Sequence, residues 1–124
     1  MYQGFAAAVS TCFRKYAVFG GRASRAEFWW FVLFSLLSYL AVAIVGGILA
    51  GLRGRQLLSL LWWLVLFLPY ISVEVRRLHD IGRSGWWWWL GLVPLIGGIV
   101  LLVWACTAGT PGPNRFGDPE PLPA

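Results

Sequence analysis

The chain has 124 residues, of which 59% are hydrophobic and only 12% are charged, and its net charge is +5. A soluble domain needs about a quarter of charged residues to cover its surface, so this composition excludes an ordinary soluble globule and predicts one membrane-embedded domain. The basic residues lie next to apolar runs, where they fit anionic lipid head groups and membrane orientation better than nucleic acid. We therefore expect membrane lipids and no nucleic acid as partners.

Residues 2–16 come first and predict a short amphipathic helix. Apolar side chains recur there at helical spacing, at Tyr2, Phe5, Val9, Cys12, Phe13 and Tyr16. Because Arg14 and Lys15 lie next to this face, the helix suits the cytoplasmic interface of a membrane. Docking against a helical bundle explains the same pattern equally well.

Three apolar runs follow, and we predict each of them as a transmembrane helix. They cover residues 28–52, 57–73 and 86–106. About 20 residues cross the hydrocarbon core, so the first run is long enough and the second is near the lower limit. The third run contains Pro94, which kinks or loosens a helix. The sequence thus predicts an all-α integral membrane protein, a bundle of three transmembrane helices preceded by an amphipathic interfacial helix.

Residues 107–124 form the last segment and contain five of the seven prolines of the chain. This composition predicts an extended, irregular tail without a core of its own. We therefore assign residues 1–119 to a single membrane domain.

The distribution of Lys and Arg predicts the orientation. With three full spans, seven of these residues lie on the side of the N-terminus and three on the other side. The positive-inside rule then places the N-terminus in the cytoplasm and the tail outside. A re-entrant third segment is the alternative, and it returns the tail to the cytoplasmic side.

Residues 20–29, GGRASRAEFW, form the first polar motif. Ser24 and Glu27 have the S-x-x-E spacing of a capping box, which predicts the start of the first span. Capping does not explain Arg22 and Arg25, because cations at a helix N-terminus oppose the helix dipole. We therefore expect lipid phosphates or acidic groups elsewhere in the protein to balance them.

Residues 74–86, EVRRLHDIGRSGW, form the second polar motif. If the second helix continues through it, Glu74 pairs with Arg77 at i,i+3 and Arg76 pairs with Asp80 at i,i+4. One interpretation is a salt-bridged cytoplasmic turn, and the other is a polar site at the membrane boundary. The candidate members of this polar site are Glu27, Glu74, His79 and Asp80.

A strip of small residues marks one face of the first span. Gly47 and Gly51 have the G-x-x-x-G spacing that lets two helices approach closely. The partner helix belongs either to the same chain or to a second copy, and packing within the chain is the simpler interpretation.

No catalytic or metal-binding set emerges from the sequence. His79 and Asp80 are neighbours whose side chains point apart on a helix, and the chain has no second histidine. Cys12 and Cys106 lie near opposite membrane faces in the three-span topology and so cannot form a disulfide. We therefore expect no enzyme activity, no cofactor and no metal.

The order of these motifs resembles DUF805, a family of small bacterial inner-membrane proteins of unknown function. The similarity runs from about residue 13 to residue 119. It rests on FGGRASRAEFW at 19–29, on PY at 69–70 with RRLHDIGRSGWW at 76–87, and on NRFGDP at 114–119. The resemblance implies a multi-span protein of the bacterial inner membrane, and it implies no particular reaction.

Two functions fit these features. The first is a non-enzymatic membrane module whose cytoplasmic face binds anionic lipid head groups or a protein partner. The candidate contact residues of this face are Arg22, Arg25, Arg76, Arg77 and Arg83. The second is a homo-oligomeric transporter or channel with a polar path through the Glu74–Asp80 region, whose copies meet through a surface such as the Gly47–Gly51 strip.

Overall fold

The computed structural model describes residues 4–117, and this part of the chain is helical apart from its loops and one isolated β-bridge. In chain order it contains α1 (Phe5–Arg14), α2 (Arg25–Asp80), a 3₁₀ helix (Gly85–Leu92) and α3 (Ile96–Cys106). The predicted all-α class is confirmed. Tyr2 of the predicted N-terminal helix and residues 118–124 of the predicted tail lie outside the described range.

Helix α2 is folded into an antiparallel hairpin with two arms, residues 25–50 and 51–80. The helical backbone breaks at Ala50 and Gly51, and Gly51 has a φ of 68°, which glycine adopts without strain. Between the arms, the indole nitrogen of Trp62 donates a hydrogen bond to Ser38 Oγ at 2.9 Å. At about 1.5 Å per residue, each arm is longer than the roughly 30 Å of a hydrocarbon core. The first arm holds nearly all of the first predicted span, and the second arm holds the second span.

The glycines that bring the arms together differ from the predicted pair. Gly46 and Gly54 face each other so closely that a Cβ on Gly46 would lie 2.8 Å from the Gly54 carbonyl oxygen. Gly51 lies at the break, and a Cβ on Gly47 would meet only Arg55, at 3.8 Å. Within the chain, the close contact is therefore made by Gly46 and Gly54 rather than by the predicted Gly47 and Gly51, because the chain turns within that strip.

Residues 86–106 do not form the continuous third helix that the sequence predicts. The 3₁₀ helix and α3 are separate, and between them the backbone turns at Leu95, whose φ is 64°. Leu95 follows Pro94, which has no amide hydrogen to continue a helix. The two pieces fold against each other, with the ring centroids of Trp87 and Trp104 5.6 Å apart. We call this unit the short hairpin, and neither of its pieces has the roughly 20 residues that cross a bilayer.

Helix α1 packs against α2. Its buried residues are Ala8, Thr11 and Cys12, which lie on one face. Phe13 makes an edge contact with Phe31 of the first arm, with the ring centroids 5.8 Å apart. The predicted N-terminal helix is therefore present, and its buried face is docked on the bundle.

The outward surface of α2 is largely apolar. Near the turn of the hairpin, Ile48 and Leu49 are 78% and 75% exposed. Among the described residues, α2 is the one helix long and apolar enough to cross a membrane, and its most apolar 18-residue window has a mean hydropathy of 2.4 and is only 6% buried. The core helix of a soluble protein would be mostly buried, so this exposed apolar surface fits contact with lipid.

Candidate functional site

Five charged side chains meet where the two arms of α2 open, at the end opposite the turn. They are Arg22, Glu27, Arg76, Arg77 and Asp80, and each is between 0% and 7% exposed. We call them the arginine–carboxylate cluster, and we call this end of the molecule the open end. Buried charges are tolerated only when they are paired and hydrogen-bonded, so the partners of each residue decide what the cluster can do.

Glu27 and Arg76 join the two arms. Arg76 Nη1 donates to Glu27 Oε2 at 2.5 Å, and both side chains are fully buried. Cys12 of α1 reaches the same oxygen, with 3.5 Å between Sγ and Oε2. Burial, and then the negative charge of Glu27, raise the pKa of the Cys12 thiol well above its usual range, so the thiol stays protonated. Arg76 Nε and Nη2 have no hydrogen-bond partner among the described residues, so the arginine is only partly satisfied.

Asp80 binds two arginines at once. Its Oδ1 accepts from Arg22 Nε at 2.9 Å, and its Oδ2 accepts from Arg77 Nη1 at 2.6 Å. Arg77 Nη2 also donates to the Thr107 carbonyl oxygen. The Asp80 carboxylate therefore connects the end of α2 to the loop before α2 and, through Arg77, to the start of the tail.

The tail returns to this cluster. Arg22 donates to the carbonyl oxygens of Thr110 and Gly112 at 2.6 and 2.7 Å. The Thr110 amide in turn donates to the Asp80 carbonyl oxygen at 2.7 Å. A Cβ on Gly109 would collide with the Asp80 carboxylate, so the tail passes at a point where only glycine fits. The N-terminal loop, the end of α2 and the tail consequently form one connected unit.

His79 lies beside the cluster and contacts the tail at Asn114 and Phe116. Its Nδ1 is 2.8 Å from the Gly21 carbonyl oxygen, which can only accept, so Nδ1 carries the hydrogen. The ring stacks on Phe116 with 3.9 Å between centroids, and Asn114 Nδ2 donates to the His79 carbonyl oxygen at 2.9 Å. Burial lowers the pKa of His79 by more than the hydrogen bond to Gly21 raises it. The imidazole is therefore neutral at pH 7.

The ion pairs differ from those that helical spacing predicts. The predicted pairs Glu74–Arg77 and Arg76–Asp80 are wrong. Arg76 instead binds Glu27 of the other arm, and Arg77 binds Asp80 at i,i+3. Spacing along one helix cannot reveal a partner that arrives only because α2 folds back on itself.

Three of the five arginines predicted for lipid or partner contact are enclosed by the protein. Arg22, Arg76 and Arg77 belong to the arginine–carboxylate cluster and are at most 2% exposed. Arg25 and Arg83 are exposed. The prediction that all five share one exposed face is therefore wrong, because the returning tail and the two arms surround three of them.

Glu74 lies apart from the cluster. The indole nitrogen of Trp88 donates to Glu74 Oε2 at 3.1 Å and so links the second arm to the 3₁₀ helix. Two cavities of about 290 and 260 Å³ adjoin this carboxylate, and Tyr70, Glu74 and Leu101 line both of them. The other three residues predicted for a polar site all lie at or beside the arginine–carboxylate cluster.

Both cysteines are free and lie at the open end. Cys12 contacts Glu27, and the Cys106 carbonyl oxygen accepts a hydrogen bond from Arg25 at 3.3 Å. The three-span prediction separates the two cysteines, whereas in the structure both lie at the same end of the α2 hairpin, because the third apolar run turns back on itself. In the described part of the chain, no three His, Cys, Asp or Glu side chains converge as metal ligands do.

The backbone of the tail is the part of the site that sequence reasoning missed. Carbonyl oxygens of Thr107, Thr110 and Gly112 accept hydrogen bonds from buried arginines. The cluster has three arginines for two carboxylates, and an arginine carries five N–H donors. That excess of donors is the signal that backbone acceptors are needed.

Comparison with known proteins places this arrangement in a family. The family model described as a protein of unknown function (DUF805) matches residues 16–118. The chain is 41% identical to the inner membrane protein YhaH of Escherichia coli (strain K12) over 110 residues, covering 87% of this chain and 90% of the relative. It is 46% identical to the inner membrane protein YhaI of the same strain over 113 residues, covering 86% and 90%. The chain belongs to the DUF805 family. No solved structure shows a significant match.

Proposed function

We propose that this protein is a non-enzymatic module of the bacterial inner membrane whose exposed cationic side chains bind anionic lipid head groups. The distribution of charge carries the proposal. Within residues 4–117, Glu27 and Asp80 are bound by arginines, and Glu74 accepts from Trp88. The charged residues that are exposed in this range are all arginines.

Three exposed arginines surround the open end, and we call them the cationic rim. Arg25 donates to the Cys106 carbonyl oxygen, and Arg115 donates to the Gly82 carbonyl oxygen at 3.4 Å. Arg83 lies over the ring of Trp104, with 4.2 Å from its guanidinium carbon to the ring centroid. Tryptophan rings and arginines together are typical of the head-group layer of a membrane. The rim therefore has the chemistry and the position to contact lipid phosphates.

The proposal includes a topology. The two arms of α2 cross the membrane, and the short hairpin enters from the open end and returns to it. Eight of the ten Lys and Arg residues then lie on the side of the open end, and only Arg53 and Arg55 lie at the turn. By the positive-inside rule, the open end, α1 and the tail are cytoplasmic. This topology, with two crossings and a cytoplasmic tail, corresponds to the re-entrant alternative that the sequence leaves open, in place of three crossings and an external tail.

The alternative, a homo-oligomeric transporter, draws less support from this geometry. Asp80 is held by two arginines, so its carboxylate is not free to line an open path. The close glycine contact lies between Gly46 and Gly54 of the same chain. The Cys12 thiol also fits a non-enzymatic role, since burial and the neighbouring Glu27 carboxylate keep it protonated.

The proposal is tested by binding of phosphatidylglycerol to purified protein in mild detergent, followed by native mass spectrometry. The test variant is Arg25→Gln/Arg83→Gln, and the matched control is Arg53→Gln/Arg55→Gln, which removes the same charge at the turn. Each arginine near a lipid surface contributes about 1 kcal/mol, so the rim variant should bind roughly 30-fold more weakly. The control should stay closer to the wild type.

Equal losses in the two variants would mean that net charge matters and the cationic rim does not. Wild-type protein that retains phosphatidylglycerol no better than a zwitterionic lipid would contradict the proposal outright. A dependence on salt is also expected, because exposed charges are screened within about 10 Å at 0.1 M ionic strength.

A further inference from the structure

Glu74 is chemically unlike the other described acids. Glu27 and Asp80 are each bound by arginine, whereas Glu74 forms no ion pair within residues 4–117. The only hydrogen bond of its carboxylate in this range comes from the Trp88 indole nitrogen and goes to Oε2. That bond holds the carboxylate in place and leaves Oε1 for another partner.

The space around Glu74 is lined by aromatic rings. Phe28, Trp29 and Tyr70 line the larger cavity, and Trp88 lines the smaller one. The rings of Phe28 and Tyr70 are 6.3 Å apart between centroids, on opposite arms of α2. A volume of about 290 Å³ lies at the lower end of the usual range for small-ligand pockets. The cavities therefore suit a small group and exclude a large one.

A carboxylate among aromatic rings selects a particular kind of ligand. An anion is repelled by the carboxylate, and Ca²⁺ or Mg²⁺ needs about six oxygen ligands where this cavity offers one charged group. A substituted ammonium group fits, because its charge pairs with the carboxylate, its C–H surface contacts ring faces, and its substituents contact apolar walls. Leu101 and Leu102 of α3 supply such walls.

We propose that the cavity around Glu74 binds an organic ammonium group, with the positive charge against Glu74 Oε1 and the ring faces of Trp29 and Tyr70. The site lies between the second arm and the short hairpin, and it is independent of lipid binding at the cationic rim. Two kinds of molecule in a bacterial membrane carry such an ammonium group. One is the ammonium head group of a zwitterionic lipid such as phosphatidylethanolamine, and the other is a free hydrophobic amine.

The first measurement is calorimetric titration of delipidated protein in mild detergent with tetrapropylammonium. An uncharged hydrocarbon of matched size serves as the reference ligand. Glu74→Gln keeps the size of the side chain and its acceptor for Trp88 but removes the charge. Loss of the charge–charge contact with the ammonium should weaken binding by at least about tenfold.

A second variant separates loss of the site from loss of the fold. A Cβ on Gly98 meets nothing within 4 Å, and Gly98 lines the larger cavity, so Gly98→Leu fills that space while Glu74 stays in place. Gly47→Leu is the matched control, since it adds the same bulk near the turn, where the nearest atom is 3.8 Å from the new Cβ. Gly98→Leu should abolish binding, and Gly47→Leu should leave it unchanged.

The proposal is overturned if wild-type protein binds the uncharged reference as well as tetrapropylammonium, or if both Glu74→Gln and Gly98→Leu bind normally. Native mass spectra then identify the source. Phosphatidylethanolamine that is retained by the wild type, displaced by tetrapropylammonium and absent from Glu74→Gln assigns the site to a lipid head group. Tetrapropylammonium binding without any such lipid assigns it to a free amine.

Discussion

Removing one member of the Glu27–Arg76 pair should destabilise the protein far more than removing both. The pair is fully buried, with 2.5 Å between Arg76 Nη1 and Glu27 Oε2. Removing one partner of a buried pair leaves an uncompensated charge, which typically costs about 3–5 kcal/mol. Glu27→Gln should be the worse single variant, because the guanidinium that remains cannot lose its proton.

The double variant Glu27→Gln/Arg76→Met leaves no buried charge at this point. Replacing a buried ion pair with neutral side chains of similar size is often neutral or stabilising by about 1–4 kcal/mol. The wild-type pair has a weakness that the double variant removes, since two donor atoms of Arg76 have no partner among the described residues. We therefore expect the free energy of unfolding of the double variant to be close to that of the wild type and well above that of either single variant.

The assay is unfolding of the purified protein by SDS in mixed micelles, followed by tryptophan fluorescence and circular dichroism. Arg53→Gln is the control, because Arg53 is exposed at the turn and its loss should change the free energy of unfolding little. Single variants as stable as Arg53→Gln, or a double variant as unstable as the sum of the singles, would refute the reasoning that this pair is buried and coupled.

Three further outcomes follow from the open end. In a cysteine-free background, a membrane-impermeant maleimide applied to spheroplasts should label Gln56→Cys at the turn. The same reagent should label Ala108→Cys in the tail only after lysis, and labelling of both from outside would contradict the two-crossing topology. Arg22→Lys should loosen the tail and speed its hydrogen exchange, because an ammonium cannot bind Asp80 and two backbone carbonyls in the same fork; unchanged exchange would argue against the role of Arg22. Burial lowers the pKa of His79, so the unfolded chain binds more protons than the folded protein. The free energy of unfolding should therefore fall as the pH drops below about 6.5. In His79→Gln this pH dependence should be flatter, as measured by the same SDS titration.

The local features of the chain were predictable from the sequence because they depend on near neighbours. The Glu27 amide donates to Ser24 Oγ at 3.1 Å, as the capping spacing predicts, and α2 begins there. The apolar periodicity of residues 2–16 predicted a helix, and α1 occupies Phe5–Arg14. Each of these patterns is set by contacts within one or two helical turns.

The ion pairs could not be predicted from the sequence because the partners are distant along the chain. Arg76 lies 49 positions from Glu27, and Arg22 lies 58 positions from Asp80. Helical spacing offers only partners three or four positions away, and for Arg76 it offered the wrong one. For the same reason, the sequence predicted a lipid-facing surface that included three arginines which, in the structure, are buried and bind acidic side chains and backbone carbonyls.

The sequence by itself determined that this is an all-helical protein with long exposed apolar helices and a polar end, since composition and hydropathy decide how much surface must avoid water. Only the tertiary structure decided that the third apolar run folds back at Leu95 and that the tail returns to Arg22. The physical reason is hydrogen bonding. Three buried arginines carry more donors than two carboxylates can accept, and the carbonyl oxygens of Thr107, Thr110 and Gly112 reach these donors only when the tail lies at the same end.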